Sequence, residues 1–180
     1  MVTGAGPIGL LTLLAAKAAG AAQLFLSDVN PTRLDIAKRI LSDVVTINPK
    51  EQDVGEVLRA STEGNAGCDV ALECVGNTLA LQACVDAVRK GGVVVQVGLH
   101  KGEAPINWFT VVYKDIDVRG SWAYPGQIWP RVMRLIASGQ IPARKVVTKT
   151  VSLGSAVKEG FDALLDPGGT QLKILIDLKQ

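Results

Sequence analysis

The apolar residues of this chain fall into short runs that are separated by longer helix-like segments. The runs are rich in β-branched and aliphatic side chains and predict strands at 23–28, 44–47, 68–73, 93–97 and 117–120. Only three residues of a first strand precede Gly4. The intervening segments predict helices at 7–19, 30–40, 53–62, 77–89, 106–113 and 129–138. A weak strand, a helix and a last strand follow at 146–151, 155–165 and 172–178.

This alternation of strands and helices predicts the α/β fold class, with a doubly wound parallel sheet of six strands. The run at 93–97 is almost continuously apolar, which is typical of a strand buried on both faces of its sheet. We expect residues 1–145 to form one nucleotide-binding domain. Residues 146–180 are predicted to form a C-terminal helix-strand tail.

A glycine-rich turn occupies the junction between the first strand and the first helix. Gly4, Gly6 and Gly9, with Pro7 and Ile8 among them, match the pattern G-x-G-x-x-G. Such glycines allow a tight turn and let the backbone approach a pyrophosphate at a helix N-terminus. The motif alone is weak evidence, because a turn without any ligand can carry the same glycines.

The ends of the later strands strengthen the case for a ligand. A doubly wound sheet binds ligands beyond the carboxyl ends of its strands, where glycine permits close approach of the backbone. The candidate residues at these ends are Asp28, Cys74, Val75, Gly76, Val97, Gly98, Leu99, Ser121 and Trp122. Together with the first turn, they predict a dinucleotide-binding Rossmann fold.

Asp28 bears on the choice between the two nicotinamide dinucleotides. It lies 24 residues after Gly4, near the position of the acid that binds the adenosine ribose. A carboxylate accepts hydrogen bonds from the ribose diol and repels a 2′-phosphate, so Asp28 favours NAD over NADP. Arg33 argues the other way, since an arginine can bind that phosphate; alternatively it lies over the adenine or faces solvent.

Composition excludes several classes of function. The net charge is +2 and the cations are scattered, so nothing indicates nucleic acid. The apolar run at 10–16 is far too short to cross a membrane. The three cysteines form no C-x-x-C pair, which favours reduced thiols in a cytoplasmic protein.

The sequence offers no catalytic residue and no metal ligands. It has one histidine, His100, which we interpret as a solvated loop residue, and the usual zinc-binding patterns of cysteine and histidine are missing. It also has no Tyr-x-x-x-Lys pair and no Gly-x-Ser-x-Gly elbow. Because the first strand is so short, we predict that the chain is part of a longer protein.

Several motifs occur in the order and spacing of a known family. The glycine turn at 4–9, Asp28 with Arg33, the segment Glu-Cys-Val-Gly at 73–76, and the loops at 97–99 and 120–121 resemble the zinc-dependent medium-chain dehydrogenases. The likeness extends over the whole chain and is greatest to the polyol branch, which includes the sorbitol and (R,R)-2,3-butanediol dehydrogenases.

The resemblance implies an NAD-dependent oxidoreductase that acts on a small alcohol or polyol. It implies that Ile8, Asp28, Arg33, Val97, Leu99, Ser121 and Ala123 line the cofactor. Ala123 departs from sorbitol dehydrogenases, which commonly have arginine there. In such enzymes a separate GroES-like domain, to which the tail returns, holds the catalytic zinc; zinc is therefore expected only in a full-length protein. Homodimers or homotetramers are common in the family.

Two other hypotheses remain open at this stage. In the first, the chain is a stand-alone NAD(H)-sensing domain. In the second, it is part of a zinc-free enzyme that resembles the quinone reductases. Such relatives usually use NADPH, which Asp28 disfavours. Under the leading hypothesis, the 180-residue chain binds NAD(H) but does not oxidise alcohol by itself.

Overall fold

The structure is a computed structural model and describes residues 1–166 and 170–179. Its strands are β1 (Val2–Thr3), β2 (Phe25–Ser27), β3 (Val45–Ile47), β4 (Cys68–Glu73), β5 (Val88–Gln96), β6 (Asp117–Gly120), β7 (Val147–Ser152) and β8 (Lys173–Asp177). Its α-helices are α1 (Pro7–Ala18), α2 (Pro31–Ile40), α3 (Val54–Ser61), α4 (Thr78–Ala87), α5 (Trp108–Tyr113), α6 (Trp129–Ala137) and α7 (Asp162–Leu165).

Six strands form one parallel sheet in the order β3-β2-β1-β4-β5-β6. This is the strand order of a dinucleotide-binding doubly wound sheet, so the predicted fold class is confirmed. The direction in which successive strands are added to the sheet reverses between β1 and β4, and the carboxyl ends of these two central strands therefore flank the switch point. In the tail, β7 and β8 pair in parallel as a separate sheet of two strands.

The core is divided between the two faces of the six-stranded sheet. Because successive side chains of a strand point to opposite faces, Phe25 and Leu26 enter different clusters. Phe25 packs with Leu58 and Val85 from α3 and α4, and Leu26 packs with Leu13 from α1. Each strand of the sheet interior is thus covered on both sides, which explains its apolar composition.

Two predicted boundaries in the sequence are wrong. The helix predicted at 77–89 ends at Ala87, and β5 begins at Val88 instead of residue 93. Val88 pairs with Cys68 and is 1% exposed, so its burial in the sheet replaces the last helical turn. A bulge follows, after which Val70 pairs with Val93.

The helix predicted at 155–165 is also irregular. The segment opens as a 3₁₀ turn at Leu153–Ser155, continues as a π-helical segment at Ala156–Phe161, and becomes α-helical only at Asp162–Leu165. Residues 167–169 and 180 of the predicted tail lie outside the described residues. None of the helices in the described ranges is long and apolar enough to cross a membrane.

Candidate dinucleotide-binding site

The glycine turn connects β1 to α1 in a conformation that side chains would prevent. Gly4 has φ +89°, and its N–H donates to the Ser27 carbonyl at 2.7 Å. A Cβ on Gly9 would lie 1.7 Å from the Gly4 carbonyl oxygen, so the turn and the helix touch through their backbones. A Cβ on Gly6 would meet no atom within 4 Å. The space in front of Gly6 is therefore open to a ligand.

The N-terminus of α1 is suited to an anion. Pro7 is its first residue, and no side chain caps the helix at Gly6. The first-turn N–H groups that a helix leaves unpaired are thus not satisfied by a capping side chain. Together with the helix dipole, such groups bind a phosphate.

Asp28 lies beside the turn, immediately after β2. Its Oδ2 accepts from the Ala5 N–H at 2.6 Å, and its Oδ1 accepts from the Asn30 N–H at 2.8 Å. Asn30 in turn caps α2 by accepting from the Arg33 N–H at 3.3 Å. No ion pair joins Arg33 to Asp28 in the described part of the chain, so this carboxylate is available on its remaining lone pairs.

The loops after β4 and β5 form the centre of the site. A Cβ on Gly98 would lie 2.3 Å from the Gly76 nitrogen, and one on Gly76 would lie 2.4 Å from the Leu99 carbonyl oxygen. The two loops therefore touch, and glycine is required at both positions. Val75 and Leu99 are exposed at their surface, as expected for apolar side chains that line a cleft.

The segment after β6 continues this row of loops. The Ser121 N–H donates to the Gln96 carbonyl at 2.9 Å, and Ser121, Trp122 and Ala123 are exposed. Ala123 has φ +47°, an uncommon conformation for a residue with a side chain. Since β2 and β6 are four strand spacings apart, Asp28 and Ser121 lie at the two ends of a candidate site about 19 Å long.

Two thiols near the site are not nucleophiles. Burial raises the pKa of Cys74 to about 11, and its Sγ contacts the Thr12 hydroxyl at 3.7 Å. Burial also raises the pKa of Cys84, which lies beneath Thr3. Both groups stay protonated near neutral pH and fill space as small apolar side chains.

His100 and Glu73 differ from what the sequence indicated. His100 is half-buried rather than solvated, and its Nε2 is buried without a hydrogen-bond partner among residues 1–166 and 170–179. Glu73, the last residue of β4, is completely buried beneath the loops. The sequence analysis missed Glu73 as a site residue, although an acid at the end of an apolar strand and before a glycine loop was a visible signal.

The described residues fit a dinucleotide but not a zinc ion. The open turn at Gly6, the uncapped helix and the fixed Asp28 carboxylate match the parts of a dinucleotide site. Within those residues, no three His, Cys, Asp or Glu side chains are grouped to hold a metal ion.

The chain is similar to proteins described as zinc-binding dehydrogenases, whose family model matches residues 7–138. It is 35% identical to sorbitol dehydrogenase of Homo sapiens over 98% of this chain and 48% of that protein. It superposes on 2R,3R-butanediol dehydrogenase of Bacillus subtilis with a TM-score of 0.87 and 32% identity, over 97% of this chain and 49% of that one.

A further structural relative contains a bound dinucleotide. A zinc-binding dehydrogenase structure from Sinorhizobium meliloti 1021 contains NADP and superposes with a TM-score of 0.83 and 27% identity, over 97% of this chain and 51% of that one. The chain spans about half the length of the relatives it matches. Their names are those of alcohol and polyol dehydrogenases, which does not favour the sensing and quinone-reductase hypotheses.

Proposed function

Because the chain belongs to the zinc-binding dehydrogenase family, we propose that it is the NAD-binding part of an oxidoreductase acting on a secondary alcohol or polyol. The observation that carries the proposal is the hydrogen bond that joins the open glycine turn, at the Ala5 N–H, to the Asp28 carboxylate. The substrate is of the kind named by the relatives, a polyol such as sorbitol or a diol such as 2,3-butanediol.

Each end of the site receives a different part of the cofactor. The backbone at Gly6 and the N-terminus of α1 bind the pyrophosphate, and Asp28 accepts hydrogen bonds from the adenosine ribose. The loops at 74–76, 97–99 and 121–123 line the nicotinamide half. Bound NAD supplies the hydride acceptor for alcohol oxidation.

NAD is preferred to NADP in this proposal because of the charge at Asp28. A 2′-phosphate would stand next to a carboxylate whose two oxygens are already oriented by Ala5 and Asn30. Arg33, in the first turn of α2, is the group through which NADP would bind instead. The relative from Sinorhizobium meliloti 1021 contains NADP, so the fold itself accepts a 2′-phosphate.

We place the catalytic zinc and the proton relay outside residues 1–180. The described residues offer no metal-ligand cluster, and the relatives are about twice as long as this chain. The burial that keeps Cys74 and Cys84 protonated also makes them poor zinc ligands. The chain alone is therefore expected to bind NADH without oxidising alcohol.

The assembly that we propose is a homodimer or homotetramer in the cytoplasm. β6 is an edge strand with four exposed residues, and Trp108 and Phe109 of the neighbouring α5 are also exposed. An open edge of this kind pairs with a second copy. Three unpaired cysteines agree with a reducing compartment.

Calorimetric titration of the purified chain with NADH and NADPH tests the cofactor. We expect NADH to bind at least tenfold more tightly, since repulsion between a 2′-phosphate and the Asp28 carboxylate needs to contribute only about 1.4 kcal/mol for a tenfold difference. Tighter binding of NADPH would overturn the preference for NAD. Failure of both dinucleotides to bind would overturn the proposed function itself.

A further inference from the structure

Glu73 is a buried carboxylate that no step of the proposed function uses. It is 0% exposed at the end of β4, and a buried carboxylate is stable only when its oxygens accept hydrogen bonds. Its Oε1 accepts from the Val75 N–H at 2.7 Å, and both of its oxygens lie 3.0 Å from the Gly76 nitrogen. The Thr3 hydroxyl adds a longer contact to Oε1 at 3.4 Å. The carboxylate thus fixes the loop that follows its own strand.

The same residue also holds the loop after β5. The Gln96 amide donates through Nε2 to Glu73 Oε2 and to the Gly98 carbonyl, the latter at 2.7 Å. The main-chain carbonyl of Glu73 accepts from the N–H groups of Val97 at 2.9 Å and Gly98 at 2.8 Å. Glu73 therefore binds both loops at once, through its side chain and its backbone.

The carboxylate is also part of the packing between the loops. A Cβ on Gly98 would lie 2.6 Å from Glu73 Oε2 and 2.3 Å from the Gly76 nitrogen. Gly98 therefore packs against both the Gly76 backbone and the Glu73 carboxylate. The side chain beneath the loops contributes to the contact between them.

We infer that Glu73 is a positioning residue for the nicotinamide half of the cofactor site. The inference rests on the proposed function, which assigns the loops at 74–76 and 97–99 to that half. Glu73 is too deeply buried to touch the cofactor and acts through the loops above it. Gln96 transmits its effect to the second loop.

The variant Glu73→Gln tests this role because it keeps the shape and removes the charge. An amide offers one acceptor oxygen, and its NH₂ group would face the N–H donors that the carboxylate now satisfies. We expect the amide protons of Val75 and Gly76 to exchange at least tenfold faster, and NADH to bind about tenfold more weakly. AMP, which occupies only the adenosine half, should bind within about twofold of the unchanged chain. Glu63→Gln, an exposed change, is the matched control.

The results separate this inference from the proposed function. If the unsubstituted chain does not bind NADH, the cofactor assignment is wrong. Amide exchange rates measured without NADH would still test whether Glu73 positions the two loops. Unchanged exchange at Val75 and Gly76, or equal weakening of AMP and NADH, would overturn the positioning role.

A second variant covers the case in which Glu73→Gln does not fold. Gln96→Leu leaves the carboxylate and breaks its link to the Gly98 carbonyl. We expect faster amide exchange at Gly98 and NADH binding weakened about fivefold, the change that corresponds to the loss of about 1 kcal/mol from one hydrogen bond. Unchanged exchange at Gly98 in this variant would contradict the inference.

Discussion

The carboxylate of Asp28 accepts a hydrogen bond from the main-chain N–H of Ala5 at 2.6 Å, across 23 residues of sequence. The acid that follows β2 therefore holds the glycine turn in place. In the proposed site the same carboxylate also faces the adenosine ribose, so one residue would affect both the shape of the turn and the choice of cofactor.

The variant Asp28→Asn should weaken NADH binding and relax the preference for NADH over NADPH. The amide keeps an acceptor for Ala5 but loses the charge-assisted bonds to the ribose and the repulsion of a 2′-phosphate. We expect NADH to bind about tenfold more weakly, with a smaller change for NADPH, in calorimetric titrations. Asp35→Asn, an exposed change in α2, should alter neither affinity. An unchanged ratio of the two affinities would show that Asp28 does not select the cofactor.

Replacing Gly9 or Gly6 with alanine should have different effects, the first on stability and the second on cofactor binding. In Gly9→Ala the new Cβ would lie 1.7 Å from the Gly4 carbonyl, so the turn must open, and we expect a loss of about 3 kcal/mol or more in the free energy of unfolding. In Gly6→Ala the Cβ meets no protein atom and φ is −74°, so the stability should change by less than about 1 kcal/mol.

The same Gly6→Ala variant should nevertheless bind NADH at least tenfold more weakly, because its methyl group would occupy the approach to the pyrophosphate. Urea denaturation and calorimetry on the two variants measure both effects. Normal NADH affinity in a folded Gly6→Ala variant would contradict the assignment of the pyrophosphate to this turn.

The thiol of Cys74 should react slowly at neutral pH. Burial raises its pKa to about 11, and the thiolate is the reactive form. Its alkylation by iodoacetamide should accelerate with pH up to about 11, whereas a free thiol with the usual pKa levels off above about 9. Mass spectrometry of the alkylated peptides follows Cys74 separately from Cys68 and Cys84. A rate that levels off below pH 9 would contradict this environment.

The pKa of Cys74 also has a consequence for stability. The folded-state value lies above the unfolded one, so the unfolded chain loses the thiol proton first as the pH rises. The contribution of Cys74 to stability should therefore be complete below about pH 9 and decline between about pH 9 and about pH 11. Cys74→Ala should reduce this alkaline decline in urea denaturation.

The part of the site that follows local rules could be predicted from the sequence. A glycine that must accept φ +89°, or an acid at the end of a strand, is determined by its neighbours in the chain. The hydrogen bond between Glu73 and Gln96 could not be predicted in this way. It requires the register that places Glu73 of β4 opposite Gln96 of β5, and register depends on the bulge after Val88.

Lys114 is a second residue whose role depends on distant contacts. Its Nζ donates to the carbonyls of Val85 at 3.2 Å, Asp86 at 2.7 Å and Val88 at 2.9 Å, at the end of α4. These carbonyls lie 26 to 29 residues away in the sequence, so no local pattern marks Lys114 as their partner.

The variant Lys114→Met should lower the free energy of unfolding by about 1–3 kcal/mol. Methionine preserves most of the apolar stem but leaves carbonyls at the negative end of α4 without their cation. Lys101→Met, in an exposed loop, serves as the control and should change stability by less than about 0.5 kcal/mol. Urea denaturation measures both. Equal stability of the two variants would mean that Lys114 does not cap the helix.

A charge on β6 should prevent the association that we propose. Val118 is 41% exposed on this edge strand, and in a dimer with twofold symmetry the edges of two copies would meet. Val118→Lys would bring two like charges together at this contact. Natural sheets commonly block edge pairing with a lysine on the edge strand. We expect the variant to be monomeric in light scattering after size-exclusion chromatography, with unchanged NADH affinity. Leu79→Lys, a charge on α4 at a residue that is 83% exposed, should leave the oligomer intact. If the unsubstituted chain is monomeric, or if the Val118→Lys variant forms an oligomer of the same mass as the unsubstituted chain, β6 is not the interface.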